Sequence, residues 1–117
     1  MIIKVAVNRI VGGFTFSREA YEYITGEPYP EEVEYYNEYI FLDDEHLLEA
    51  LGIKGEDPRM QVRTHPKVIE CIEELGDRAN GDECTELKVI EVPDGVDFYV
   101  DEYAGQEWIA ERHRRWF

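Results

Sequence analysis

The chain has 117 residues, 44% of them hydrophobic, and its 27 acidic side chains against 12 Lys and Arg give a formal charge of -15. That length fits a single domain spanning 1–117, and that apolar content is enough for a core without disulfides or metals. The charge weighs against direct nucleic-acid binding, which needs Lys and Arg on phosphates, and against anionic membrane surfaces; it favours a basic protein partner.

Residues 2–8 alternate Ile3, Val5 and Val7 and predict a strand, which Gly12-Gly13 breaks. Ser17 is an N-cap, with Phe16 and Tyr21 in the places of a hydrophobic staple, so a helix is expected from there to Gly26. Pro28 and Pro30 mark a connector. The run from 33 to 42 mixes Val33, Tyr35, Tyr36, Tyr39, Ile40 and Phe41 with Glu, and reads as an extended edge strand. Asp43 or Asp44 caps a short helix holding Leu47, Leu48 and Leu51 and ending at Gly52. Residues 60–63 read as a short strand.

Thr64 or His65 begins the clearest helix, with Pro66 in its first turn and an apolar stripe of Val68, Ile69, Cys71, Ile72 and Leu75. Residues 87–92 and 96–100 read as a hairpin around Pro93-Asp94-Gly95. Residues 106–115 predict a final helix with Trp108, Ile109 and Trp116 inward. The expected fold is α/β (α+β): a small mixed sheet of about four strands with three or four helices packed on it. Val5, Val7, Ile69, Ile72, Leu75, Val89 and Val100 are the expected core.

No stretch reaches the ~18 apolar residues of a membrane helix. The first residues lack a signal peptide's features, and two cysteines do not make a secreted framework, so a cytoplasmic location is expected. A bond between Cys71 and Cys84 is left open. Catalytic and metal motifs are absent from the pattern. Ser17 is the only serine and its cap role explains it. His46, His65 and His113 have no paired spacing, so no catalytic residue, metal or cofactor is assigned.

Two places remain to be weighed. The stretch holding Glu31, Glu32, Glu34, Tyr36 and Glu38 lies within a segment, residues 19–53, that contains no Lys or Arg. Side chains two apart on a strand stand about 6.6 Å apart, near two phosphate steps of roughly 3.4 Å. As a strand, this face would imitate a phosphate backbone; its simpler reading is a charged edge that resists aggregation. The second place is the Gly12-Gly13 loop, where backbone N–H groups near Arg9, Arg18 and Arg63 could hold an anion. It is neither a P-loop nor a dinucleotide fingerprint, and its simpler reading is a turn. Arg112, Arg114 and Arg115 complement the dipole of the expected last helix.

Three blocks carry a resemblance: Asn8-Arg9-Ile10-Val11-Gly12-Gly13-Phe14-Thr15-Phe16-Ser17, then Arg63-Thr64-His65-Pro66-Lys67-Val68-Ile69-Glu70-Cys71, then Leu87-Lys88-Val89-Ile90-Glu91-Val92-Pro93-Asp94-Gly95 with Asp101-Glu102-Tyr103-Ala104-Gly105-Gln106. Together the chain resembles an uncharacterised family of small acidic proteins encoded by phages and prophages. The resemblance transfers no site and implies an accessory protein working in host cytoplasm. With the charge, it yields the expected function: a binding protein that inhibits a host-defence or nucleic-acid-handling protein, anti-CRISPR-like, by nucleic-acid mimicry. The alternative is a small-ligand or nucleotide-binding protein, or an enzyme, with its site at the Gly12-Gly13 loop. Clustering of Arg9, Arg18 and Arg63 would favour the alternative.

Overall fold

The computed structural model describes residues 2–36 and 38–112, and only the backbone of 34–36. It is an α+β fold of six strands and five α-helices. In chain order these are β1 (Ile2–Asn8), β2 (Thr15–Ser17), α1 (Arg18–Thr25), α2 (Glu31–Tyr36), β3 (Tyr39–Phe41), α3 (Glu45–Ala50), α4 (Pro58–Thr64), α5 (Pro66–Leu75), a 3₁₀ turn (Gly76–Ala79), β4 (Leu87–Pro93), β5 (Phe98–Tyr103) and β6 (Gln106–Glu111). The strands form three antiparallel pairs, β1–β4, β2–β3 and β5–β6, in place of one four-stranded sheet. No helix among the described residues is long and apolar enough to cross a membrane.

The β1–β4 pair is the middle layer, and its alternation explains why. Ala6 and Leu87 belong to the larger core, with Val68, Ile69, Cys71 and Ile72 of α5 and Phe16, Ala20 and Ile24 from β2 and α1. Val5, Val7 and Val92 belong to a second core, with Phe98, Val100 and Ile109 from the β5–β6 hairpin packed against it. Successive residues of a strand point to opposite faces, so a pair apolar on both faces is covered twice. Val5, Val7, Ile69 and Ile72 are buried as expected, whereas Leu75, Val89 and Val100 are half-buried.

Local chemistry sets the helix starts. Ser17 Oγ accepts the Ala20 N–H at 3.0 Å, and Gly26 closes α1 with φ 70°. Asp44 caps α3 through the His46 N–H at 2.8 Å, and His65 Nδ1 caps α5 through the Lys67 N–H at 3.1 Å.

Four expectations from the sequence need correction. Residues 31–36 are helical: Glu31 and Glu32 sit in the first turn after Pro30, where acidic charge suits the helix dipole, and only Tyr39–Phe41 is extended. Residues 60–63 belong to α4, because Asp57-Pro58 supplies a cap followed by a first-turn proline. Strand β4 pairs with β1, and residues 98–103 pair with 106–111, so Pro93-Asp94-Gly95 turns the chain without making a hairpin. Residues 106–111 are therefore strand. The turn is Ala104-Gly105, φ 50° and 89°, and positive φ at both central residues marks a two-residue hairpin. The remainder of the expected last helix, with His113, Arg114, Arg115 and Trp116, lies outside the described residues.

Candidate functional site

Helices α1 and α3 and the connector between α1 and α2 enclose a cleft of about 450 Å³ lined by Tyr21, Glu27, Pro28, Pro30, His46, Glu49 and Ala50. Pro28 and Pro30 stiffen the connector, and Tyr29 between them is buried edge-on against Tyr21, ring centroids 5.6 Å apart. Carboxylates converge on this cleft. His46 Nδ1 lies 3.1 Å from Asp44 Oδ1 and its Nε2 lies 3.6 Å from Glu32 Oε2. Burial first, then the charge of Glu27 and more weakly those of Asp44 and Glu49, push the Tyr21 phenol above its ordinary value, against a hydrogen bond with Thr25. Glu19, Glu22, Glu27, Glu31, Glu32, Asp43, Glu45 and Glu49 are all exposed.

The acids singled out from the sequence are divided between two places. Glu31 and Glu32 lie on α2, with Glu32 reaching His46. Glu38 instead lines a cleft with Ser17, Arg18, Glu19, Tyr29 and Arg78. The side chains of Glu34 and Tyr36 lie outside the described residues. Because this stretch is mostly helical, the strand spacing that would imitate phosphates does not exist here; what the fold supplies is a curved helical surface.

The Gly12-Gly13 loop is occupied by the protein's own backbone. The Gly12 N–H donates to Ala104 O at 2.9 Å, and Thr85 Oγ1 donates to Gly13 O at 2.6 Å. A Cβ on Gly12 would collide with the carbonyl of Cys84. The loop leads into β2 and not directly into a helix N-terminus. Its three arginines have different settings, although Arg9 shares a cleft with Glu107, the partner of Arg63. Arg9 borders a cleft with Val7, Ile90, Gln106 and Trp108; Arg18 lies over the Tyr29 ring at 5.9 Å; Arg63 is buried in the interior.

Arg63 is the centre of a network that the sequence reading missed. Its guanidinium meets both oxygens of Glu107, at 2.7 and 2.6 Å, donates to Ala6 O at 3.0 Å and lies over the Phe14 ring at 5.2 Å. Glu107 Oε1 also accepts the Asn8 N–H at 2.8 Å. Asn8, itself fully buried, donates to Ile10 O and Gly105 O and accepts the Glu86 N–H. A side-chain amide placed to meet three backbone groups signals a structural lock, and a polar Asn closing an apolar strand was the available clue.

Cys71 is buried and Cys84 exposed, and both are free thiols. Burial, then the charges of Glu19 and Glu70, push the Cys71 thiol up to about 12. Among the described residues no three His, Cys, Asp or Glu side chains gather in a metal-holding group. No family model, curated protein or solved structure matches the chain.

Proposed function

We propose that this protein acts by binding, presenting the acidic surface of α1, α2 and α3 to a basic protein and competing there with nucleic acid. The observation that carries the reading is the convergence of Glu27, Asp44 and Glu49 on Tyr21 around one cleft, with Glu32 beside it, in a segment without Lys or Arg. Carboxylates held close together keep a high local field, which steers a basic partner and raises its association rate. The resemblance to phage proteins and the overall charge support, as that partner, a host nucleic-acid-handling or defence protein such as a CRISPR effector. Because the acids follow helices, the mimicry lies in charge density and not in a phosphate-by-phosphate match.

The experiment is competition. A basic DNA-binding domain is loaded with labelled duplex DNA, and the protein is added at ~50 mM and ~300 mM salt. Wild-type protein displaces the DNA efficiently at low salt and poorly at high salt. The Glu27→Lys, Glu32→Lys, Glu49→Lys triple variant loses most of that effect while its unfolding midpoint stays close to wild type, since exposed substitutions rarely shift stability by more than ~0.5 kcal/mol each. Equal displacement by both proteins would show that the acidic surface serves solvation alone.

A further inference from the structure

The β5–β6 hairpin turns one face inward and leaves the other in water. Phe98, Val100 and Ile109 pack on Val5, Val7 and Val92. Alternation puts Tyr99, Asp101 and Tyr103 of β5 on the opposite face, together with Trp108, which lies directly across from Asp101. Tyr99, Trp108 and Tyr103 are 37%, 42% and 74% exposed. One exposed aromatic side chain is ordinary, but three on one face of a single hairpin form a cluster of the kind that marks interaction sites.

The hairpin also carries one cation contact of its own. The Arg112 guanidinium lies over the Tyr99 ring, 5.4 Å from its centroid, while its Nη1 donates to Asp97 Oδ1 at 2.9 Å. An aromatic ring beside a carboxylate already holds one arginine there. The same pairing recurs at Trp108 and Asp101, where among the described residues no cation is stacked or ion-paired, Arg9 bordering the same cleft as Trp108 without stacking on it. Indole is the best aromatic platform for a cation, and a planar, weakly hydrated guanidinium suits it better than an ammonium.

We propose that this face binds an extended, arginine-bearing segment of a basic partner, its guanidinium groups stacking on Trp108 and Tyr103 and pairing with Asp101. The net charge of -15 supplies the complementary field. This surface is built from other residues than the α1–α3 cleft, and the inference does not depend on that cleft.

The probe is a capped Gly-Arg repeat peptide, with lysine and citrulline counterparts, at ~0.3 M salt to screen long-range attraction. A Trp116→Phe background leaves Trp108 as the single tryptophan reporter. The arginine peptide should change Trp108 emission saturably. The lysine peptide should bind several-fold more weakly, and the citrulline peptide, isosteric but neutral, should not bind. By calorimetry, Tyr103→Ala should weaken binding about tenfold, and Arg112→Gln, which vacates Tyr99, should strengthen it about twofold. Tyr103 is exposed enough for its loss to leave the fold intact, which an unchanged melting curve checks. Absence of saturable arginine-peptide binding, equal binding of citrulline, or wild-type affinity in Tyr103→Ala would each overturn the inference. If the α1–α3 triple variant loses peptide binding while Tyr103→Ala keeps it, the hairpin assignment fails and the helical surface stands. If both variants fail, each surface contributes, and the hairpin assignment is retained.

Discussion

Arg63 and Glu107 are joined by two parallel hydrogen bonds with their side chains only 5% and 3% exposed. The pair is held from both sides: Ala6 O and the Phe14 ring receive the guanidinium, and the Asn8 N–H meets the carboxylate. Such an arrangement binds α4, β1 and β6 into one unit. Each charge is tolerated in the interior because the other is there.

Glu107→Ala should therefore lower stability by about 3–5 kcal/mol, the cost of an uncompensated buried charge. The double variant Arg63→Met, Glu107→Leu should lose much less than the sum of the singles Arg63→Met and Glu107→Leu, retaining chiefly the cost of the unpaired Asn8 N–H and Ala6 O, ~1–3 kcal/mol each. Urea unfolding of the four proteins measures the coupling, and strict additivity would contradict it.

His65 makes stability depend on pH. Burial holds its imidazole below the ordinary 6.5, and its Nδ1 must be unprotonated to accept the Lys67 N–H. As pH falls below that value the unfolded chain takes up the proton first, so stability declines until the folded imidazole titrates too. His65→Asn, a non-titrating cap, should match wild type near neutrality and remove this share of the acid loss, on the order of the ~1 kcal/mol of a cap. Melting temperatures of both proteins between neutral and mildly acid pH decide it.

The two cysteines should react at very different rates. Cys84 is exposed, and Cys71 is buried with its thiol raised to about 12. Iodoacetamide should label one thiol in the native protein and two after unfolding, and Cys84→Ser should leave the native protein unlabelled. Mass spectrometry counts the additions; rapid native labelling of Cys71 would show that α5 opens easily.

How much of this was legible depended on whether the signal was local. Ser17, Asp44, Gly26 and the Pro66 helix stand where the sequence put them, because caps and glycine stops act over a few residues. The 31–36 segment misled, because Val33, Tyr35 and Tyr36 favour strands while the preceding proline and first-turn glutamates favour a helix. Ala104-Gly105 is a weak form of the Asn-Gly hairpin signal, and missing it turned β6 into a helix and hid the Tyr99, Tyr103 and Trp108 face. The acidic segment was visible as composition, but its gathering around Tyr21 requires α1 and α3 to meet. The Arg63–Glu107 pair spans 44 residues, and no local pattern announces such a contact.

Gly105→Ala should be among the most damaging single-methyl changes in the chain. The residue holds φ 89°, and a Cβ there would run into the carbonyl of Gly12. Strain of about 1–3 kcal/mol from the backbone alone, plus displacement of the Gly12 contact, should lower the unfolding midpoint markedly. Gly95→Ala offers a control, since φ 89° is equally strained there but nothing lies near its Cβ. Equal losses in the two variants would show that the Gly12 contact is unimportant.

The buried network also dictates when the chain can finish folding. Asn8 and Glu107 are 99 residues apart, and Arg63 lies between them. On the ribosome, β1, α1 and α5 all emerge before Glu107 exists, so a lone guanidinium must wait in water beside a partly assembled core. Docking of β6 is then the step that completes the network, and it follows the emergence of β1 and α4. A ribosome-bound nascent chain should stay protease-sensitive until β6 has cleared the exit tunnel, and then become resistant in one step.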